Sequence, residues 1–183
     1  MKPDQELSTV TRLLHIIVAV AMIGLIIVGI YMTENKAYSL YNIHKSLGFL
    51  VLFIAFIRIV WRIRVGWPSE VAGGKAIEHI AAKVIHWVLI ISTLLFPISG
   101  LMMSVGGGHG LSVFGLELIA GSIDPVTEKP MVLNESVVSI GSYIHSTLMP
   151  IIIFAIVMHV VGALKHHYID KDSTLKRMFW FKK

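Results

Sequence analysis

Residues Val137–Leu164 read VVSIGSYIHSTLMPIIIFAIVMHVVGAL, 28 residues without an Asp, Glu, Lys or Arg. An apolar run of about 18 or more residues is long enough to cross a bilayer as a helix. At about 28 residues the run can also tilt or project beyond the hydrocarbon. Apart from Tyr143, its ionisable groups are His145 and His159. They are 14 residues apart, so at 100° per residue they fall within about 40° of one another on a single helix face, about 21 Å apart along the axis. One helix therefore shows an imidazole near each membrane surface on the same side.

Three further runs of the same kind precede it. Leu13–Tyr31 carries His15, His44–Trp61 carries His44, Lys45 and Arg58, and Val84–Val105 carries His86 and Pro97. Backbone crossing lipid must satisfy its own hydrogen bonds, which makes helices the expected form. Mostly short connections make them neighbours in an antiparallel bundle. The expected fold is all-α, a four-helix transmembrane bundle within one membrane domain spanning residues 1–183, with a tail at 165–183. No repeat or low-complexity tract interrupts it. Met1–Arg12 contains Asp4 and Glu6, and no small-residue cleavage site follows the first run. The first run is therefore expected to remain as an anchor.

Composition agrees. The 183 residues are 55% hydrophobic and 15% charged, against about 25% charged in soluble domains. That excludes a disordered chain, a nucleic-acid-binding domain and most soluble enzymes. There is no cysteine, hence no disulfide, thiolate zinc site, iron–sulfur cluster or covalently attached haem. Nine histidines stand out in a chain poor in other polar types.

Basic residues alternate from loop to loop. Lys2 and Arg12 precede the first run; Arg58, Arg62, Arg64, Lys75 and Lys83 surround the second loop; Lys165, Lys171, Lys176, Arg177, Lys182 and Lys183 follow the last run. These are 13 of the 16 basic residues. The positive-inside rule then predicts both termini in the cytoplasm. The glycine-rich third loop, 104–136, is expected outside. Trp61, Trp67, Trp87 and Trp180 are expected as an aromatic belt at the inner interface.

Histidines inside a membrane mark function by default. His44 begins its run at the level of His145, on the outer side. His15 and His86 each begin theirs near the level of His159, on the inner side, and depth does not choose between them. Pairs at two depths suit two haems held by imidazoles from facing helices. A zinc or copper site would gather three or four ligands at one depth. Gly48, Gly141 and Gly162 each lie about one turn from a histidine. They either leave room for a porphyrin or simply pack helices closely.

Taken with these motifs, the chain resembles the bacterial cytochrome b561 family over nearly its whole length. The resemblance rests on Leu14-His15-Ile16, on His44-Lys45-Ser46-Leu47-Gly48 with Arg58-Ile59-Val60-Trp61-Arg62, and on Ile98-Ser99-Gly100. It rests also on Met158-His159 and on a tail running from Ala163-Leu164-Lys165-His166-His167 through Asp170-Lys171-Asp172 to Thr174-Leu175-Lys176-Arg177-Met178. The cytochrome b subunits of membrane hydrogenases and formate dehydrogenases are similar. The resemblance implies a multi-pass protein of the bacterial inner membrane with two non-covalent haems b. It implies His44 and His145 as axial ligands of the outer haem iron, and His15 and His159 of the inner one. It further implies electron exchange with quinone, and superoxide as one electron source.

Two imidazoles per iron leave no open coordination position, which suits electron transfer. Haem propionates need cationic partners. Lys45 is a candidate outside, and Arg12, Arg58, Arg62 and Lys165 inside, unless these only snorkel to the interface. His79, His86, His166 and His167 near the inner surface could relay protons to a quinone. The outer segments hold three basic and five acidic residues, net −2, which does not favour steering of an anion such as superoxide. The expected function is a quinone-linked oxidoreductase. The alternatives are an electron-conducting subunit docked on a redox partner protein, or a histidine-relay transporter without haem. A low-spin b-type spectrum separates the last from the other two.

Overall fold

The structure is a computed structural model that describes residues 7–67 and 76–179. Lys2, Lys75, Trp180, Lys182 and Lys183, which enter the charge and belt arguments, lie outside the described residues. Four helices dominate: α1 (Thr9–Asn35), α2 (Tyr41–Val65, entered through a 3₁₀ turn at Tyr38–Leu40), α3 (Ala76–Gly106) and α4 (Glu135–Tyr168). Each is long and apolar enough to cross a membrane. Between α3 and α4 lies a short antiparallel hairpin of β1 (Leu111–Val113) and β2 (Leu116–Ile119). A five-residue helix, α5 (Thr174–Met178), closes the described chain. The all-α expectation thus holds for the spans, with two short strands added in the third loop.

Every helix outruns the apolar run that announced it, and the ends show why. Ser8 accepts from the Thr11 N–H at 3.3 Å and starts α1; Asn134 accepts from the Val137 N–H at 3.0 Å and starts α4. Such caps satisfy amides that have no partner within the helix. Lys36, at φ 51°, ends α1, and Gly66, at φ 83°, ends α2. The start of α3 is polar, so hydropathy does not reveal it. It is held instead by Glu78, whose Oε2 lies 2.7 Å from Lys165 Nζ on α4. Lys165–Tyr168, expected in the tail, continue α4.

The bundle's interior mixes small hydroxyl side chains with an apolar core, and its outside is largely apolar. Ser46, Ser92, Ser99 and Ser104 are buried beside a small apolar core of Val18, Met22, Val51 and Ile152. Val20, Ile27, Phe56 and Phe154 face outward. Small hydroxyl residues between helices and large apolar ones outside are what a lipid solvent selects. The broadest interface is between α3 and α4. There Gly141 has no room for a side chain: a Cβ would sit 2.8 Å from Met102 Cβ and 2.9 Å from the Ser99 carbonyl. Of the two readings of Gly141, helix packing is the one the structure supports.

Candidate haem-binding layers

Side chains that bear on function fall in two layers, one toward the hairpin end of the bundle and one toward the end carrying the termini. The spacing within each helix is the same. His15 and Gly29 on α1, His44 and Arg58 on α2, His86 and Gly100 on α3, and His145 and His159 on α4 are each 14 residues apart. Four turns of helix return each second residue to nearly the same face, about 21 Å away. The hairpin-end layer therefore holds Gly29, His44, Gly100 and His145. The terminal-end layer holds His15, Arg58, His86 and His159.

In the hairpin-end layer, His44 and His145 line one pocket. Its wall is mostly apolar, with Met22, Phe49, Val51, Phe96 and Leu111 among its members and Lys45 at its edge. It holds about 580 Å³ not occupied by protein atoms, counting the part continuous with the outside. The two glycines of the layer pack on the two imidazoles: a Cβ on Gly29 would lie 3.4 Å from His44 Cε1, and one on Gly100 would lie 3.8 Å from His145 Cε1. Gly48 also lines the pocket, and a Cβ there would meet nothing within 4 Å. Gly48 leaves space, as one of its two readings expected; Gly162 likewise has nothing within 4 Å.

The His145 ring is held in one tautomer. Its Nδ1 lies 2.9 Å from Ser99 Oγ and 3.2 Å from the Phe96 carbonyl, while Ser99 Oγ itself donates to that carbonyl at 2.7 Å. With the hydroxyl proton used, both neighbours of Nδ1 present lone pairs. Nδ1 must carry the proton, and Nε2 is left as a free donor to a metal, the usual arrangement for a ligating histidine. His44 Nδ1 is buried and has no hydrogen-bond partner among the described residues, an expensive state for a polar atom unless the ring serves a bound group. Two imidazoles, two glycines and an apolar wall fit a flat, bis-imidazole haem.

The terminal-end layer is built differently. His159 is approached by both candidates: its ring centre is 6.0 Å from that of His15 and 5.1 Å from that of His86. Either ring is close enough to His159 for the pair to hold one bound group between them. Arg58 donates to His15 Nδ1 at 3.2 Å. That leaves the neutral ring's proton on Nε2, so coordination through Nε2 requires this bond to rearrange. His86 is the nearer of the two rings, and Ala82 lies one turn back from it on α3. The residues present include enough imidazoles for a haem, with two arrangements open. Among the described residues these three imidazoles do not converge as a compact three-ligand metal cluster; the one group that does is Glu78, His166 and Asp170. Lys165 Nζ lies among them, 2.7 Å from Glu78 and 2.9 Å from Asp170, so an ammonium already supplies the positive charge.

That pairing also removes Lys165 from the candidates for a haem propionate. His166 is engaged by Asp170 and Asp172, each at 3.0 Å. Of the tryptophans, Trp67 and Trp87 are exposed, with ring centres 5.5 Å apart, as a belt requires. Trp61 is half-buried and donates to Thr11 Oγ1 at 3.0 Å, tying α2 to α1. Sequence reasoning missed Gly29, Ser99 as a histidine partner, and the Arg58–His15 contact. The 14-residue spacing was the signal available for the first and the last.

Comparison with known proteins agrees with this architecture. A family model described as prokaryotic cytochrome b561 matches residues 6–181. Cytochrome b561 homolog 2 of Escherichia coli (strain K12) is 27% identical over 179 residues, covering 95% of this chain and 91% of the relative. Cytochrome b561 homolog 1 of the same organism is 32% identical over 136 residues, 74% of this chain and 72% of the relative. The probable superoxide oxidase CybB of Yersinia pestis is 31% identical over 136 residues, with the same coverage. Four membrane-spanning helices, two histidine layers and a match across almost the whole chain make this protein a member of the prokaryotic cytochrome b561 family, a haem-binding multi-pass protein of the bacterial inner membrane.

Proposed function

We propose that this electron-transfer cytochrome carries two haems b, one in each layer, and moves electrons between the two membrane surfaces to or from quinone. The observation that carries the reading is the placement of His145 and His159 on one face of α4, with His44 lining the same pocket as His145 and the rings of His15 and His86 beside His159. Bound between two histidines, with no open coordination position, haem iron supplies one-electron transfer rather than oxygen chemistry. In the hairpin-end layer His44 and His145 would hold the haem iron. Ser99 and the Phe96 carbonyl orient His145, Gly29 and Gly100 admit the rings, and the apolar wall keeps water away. Lys45 is placed to meet a propionate. In the terminal-end layer His159 and His15 would hold the haem, the assignment the family resemblance implies and the 6.0 Å between the two ring centres is compatible with. Arg58 turns from His15 to a propionate.

A second reading of that layer has a specific observation in its favour. His86 is the nearer ring to His159, 5.1 Å against 6.0 Å between ring centres. It would then be the axial ligand, with His15 and Arg58 beside the haem.

The terminal end is the cytoplasmic side, from the excess of basic residues there. Quinone exchanges electrons and protons at that end, where His86 can relay protons. The Yersinia relative bears the name superoxide oxidase, which makes superoxide at the outer side the electron source to test first. The acidic outer segments argue for modest steering. A dehydrogenase docked at the same surface is the alternative donor.

The deciding experiment is a reduced-minus-oxidised spectrum with a pyridine haemochrome assay on the purified protein. Two extractable haems b per chain and a low-spin signal are expected. One haem per chain would remove a layer, and none would leave the histidine-relay transporter.

A further inference from the structure

The hairpin between α3 and α4 sits deeper than a loop outside the membrane should. Phe114, at the turn, donates its N–H to Ser46 Oγ at 3.0 Å. Ser46 is itself buried, and its hydroxyl points toward the carbonyls of Asn42, at 2.8 Å, and Ser112, at 3.3 Å. Ser46 is five residues into α2, about 7.5 Å along the axis from Tyr41, at the level of His44. Irregular backbone at that depth is tolerated only where its polar groups find partners. Ser46 provides them.

The hairpin also has two unlike faces. Paired residues of two strands project to the same side. Val113 pairs with Leu116 and Ser112 with Glu117, and a bulge between Leu111 and Ser112, with Leu118 as the extra residue, brings Leu111 opposite Ile119. One face is thus apolar and the other polar. The apolar face begins inside the bundle, where Leu111 is buried and lines the pocket of His44 and His145. It continues outward to Leu116, 67% exposed, and the turn residue Phe114 beside it is 61% exposed. β1 packs against α2, where Tyr41, Ile43 and Leu47 are exposed on the same end of the helix that Ser46 uses to hold the turn.

We propose that the hairpin is a membrane-dipping roof. Leu111 covers the hairpin-end histidine pocket, and Phe114 and Leu116 insert among the acyl chains of the adjoining leaflet. The partner of this surface is lipid. Glu117 and Ser112, on the other face, stay toward the headgroups.

The absence of cysteine makes the test clean. Leu116→Cys and Phe114→Cys, each in the full-length haem-loaded protein, are labelled with a nitroxide and reconstituted into phosphatidylcholine vesicles. Val126→Cys is the aqueous control, because Val126 is 88% exposed in a turn made by Asp124 and followed by Glu128 and Lys129. Relaxation by oxygen should exceed relaxation by a water-soluble nickel chelate several-fold at 116 and 114, with the order reversed at 126. Nickel relaxation at 116 and 114 equal to that at 126 overturns the proposal. Shielding of both labels from oxygen and nickel alike, as a protein partner or second copy would cause, also overturns it. Two tip positions keep the test decisive if one variant fails to fold.

Discussion

At His145 the ring proton is shared between two acceptors, and Ser99 is the one that a single substitution removes. Ser99→Ala leaves the Phe96 carbonyl at 3.2 Å as the remaining partner of Nδ1. The ring then keeps its tautomer but loses part of its orientation. Partners of this kind are worth about 10- to 100-fold in metal affinity. The variant should therefore lose haem selectively from the hairpin-end layer during detergent washing, measured as haem per chain, and Ser99→Thr should restore it. The terminal-end layer calls for a paired experiment. If His15 and His159 are the ligands, His15→Ala drops one haem and His86→Ala keeps two while slowing quinone reduction. The reverse pattern assigns the ligand to His86 and makes the Arg58–His15 bond a feature beside the haem. His44 and His145 are untouched by either outcome, because His15, His86 and His159 all lie in the other layer. The sequence carried this ambiguity openly, since depth along a helix is legible from residue number. The proton positions are not, because they depend on side chains from other helices, such as Arg58 on α2 reaching His15 on α1.

Two glycines on different helices test whether space or packing matters. A side chain at Gly141 would strike Met102 and the carbonyl of Ser99. Gly141→Val should force α3 from α4 and destabilise the bundle by about 1–3 kcal/mol, the range for overpacking, and should lower the thermal midpoint. The disturbance passes through Ser99 to His145, so haem loss follows unfolding. A side chain at Gly48 meets nothing within 4 Å but fills the histidine pocket. Gly48→Leu should leave the thermal midpoint of the haem-free protein unchanged and lower haem content. A parallel fall in the haem-free stability of both variants would mean that Gly48 is also packing. The two glycines look alike in sequence, each one turn from a histidine, and only the neighbouring helix tells them apart. The same holds for element ends. Apolar runs marked the middle of every span, where lipid dictates composition. They missed the first turns of α3, which are polar and held by the Glu78–Lys165 pair across 87 residues of chain, and they missed the hairpin, whose short strands are fixed by Ser46.

At the scale of the whole molecule, direction decides what the two layers can do. The layers are about 21 Å apart within a hydrocarbon core about 30 Å thick, so each lies near one surface, and under the proposed function electrons would cross the membrane between them. Which surface is which rests on charge. Basic residues concentrate at the end that carries the termini, and the cytoplasmic side is where such residues accumulate. The count survives the pairing of Lys165 with Glu78 and Asp170, because orientation is set by Lys and Arg and carboxylates contribute little. A fluorescent reporter that matures only in the cytoplasm, fused after Lys183, should therefore be bright. An alkaline phosphatase that is active only in the periplasm should be inactive at the same fusion point. Inserted into the third loop beside Val126, where the side chain is exposed, the phosphatase should instead be active. Both halves are needed, because a single dark fusion can reflect degradation. Activity of the phosphatase after Lys183 together with its silence at Val126 would invert the protein. The hairpin roof would then face the cytoplasm, and the layer of His15, Arg58, His86 and His159 would meet the outer donor. Superoxide would in that case approach the end rich in Arg and Lys, and the electrostatic objection to it as a substrate would disappear.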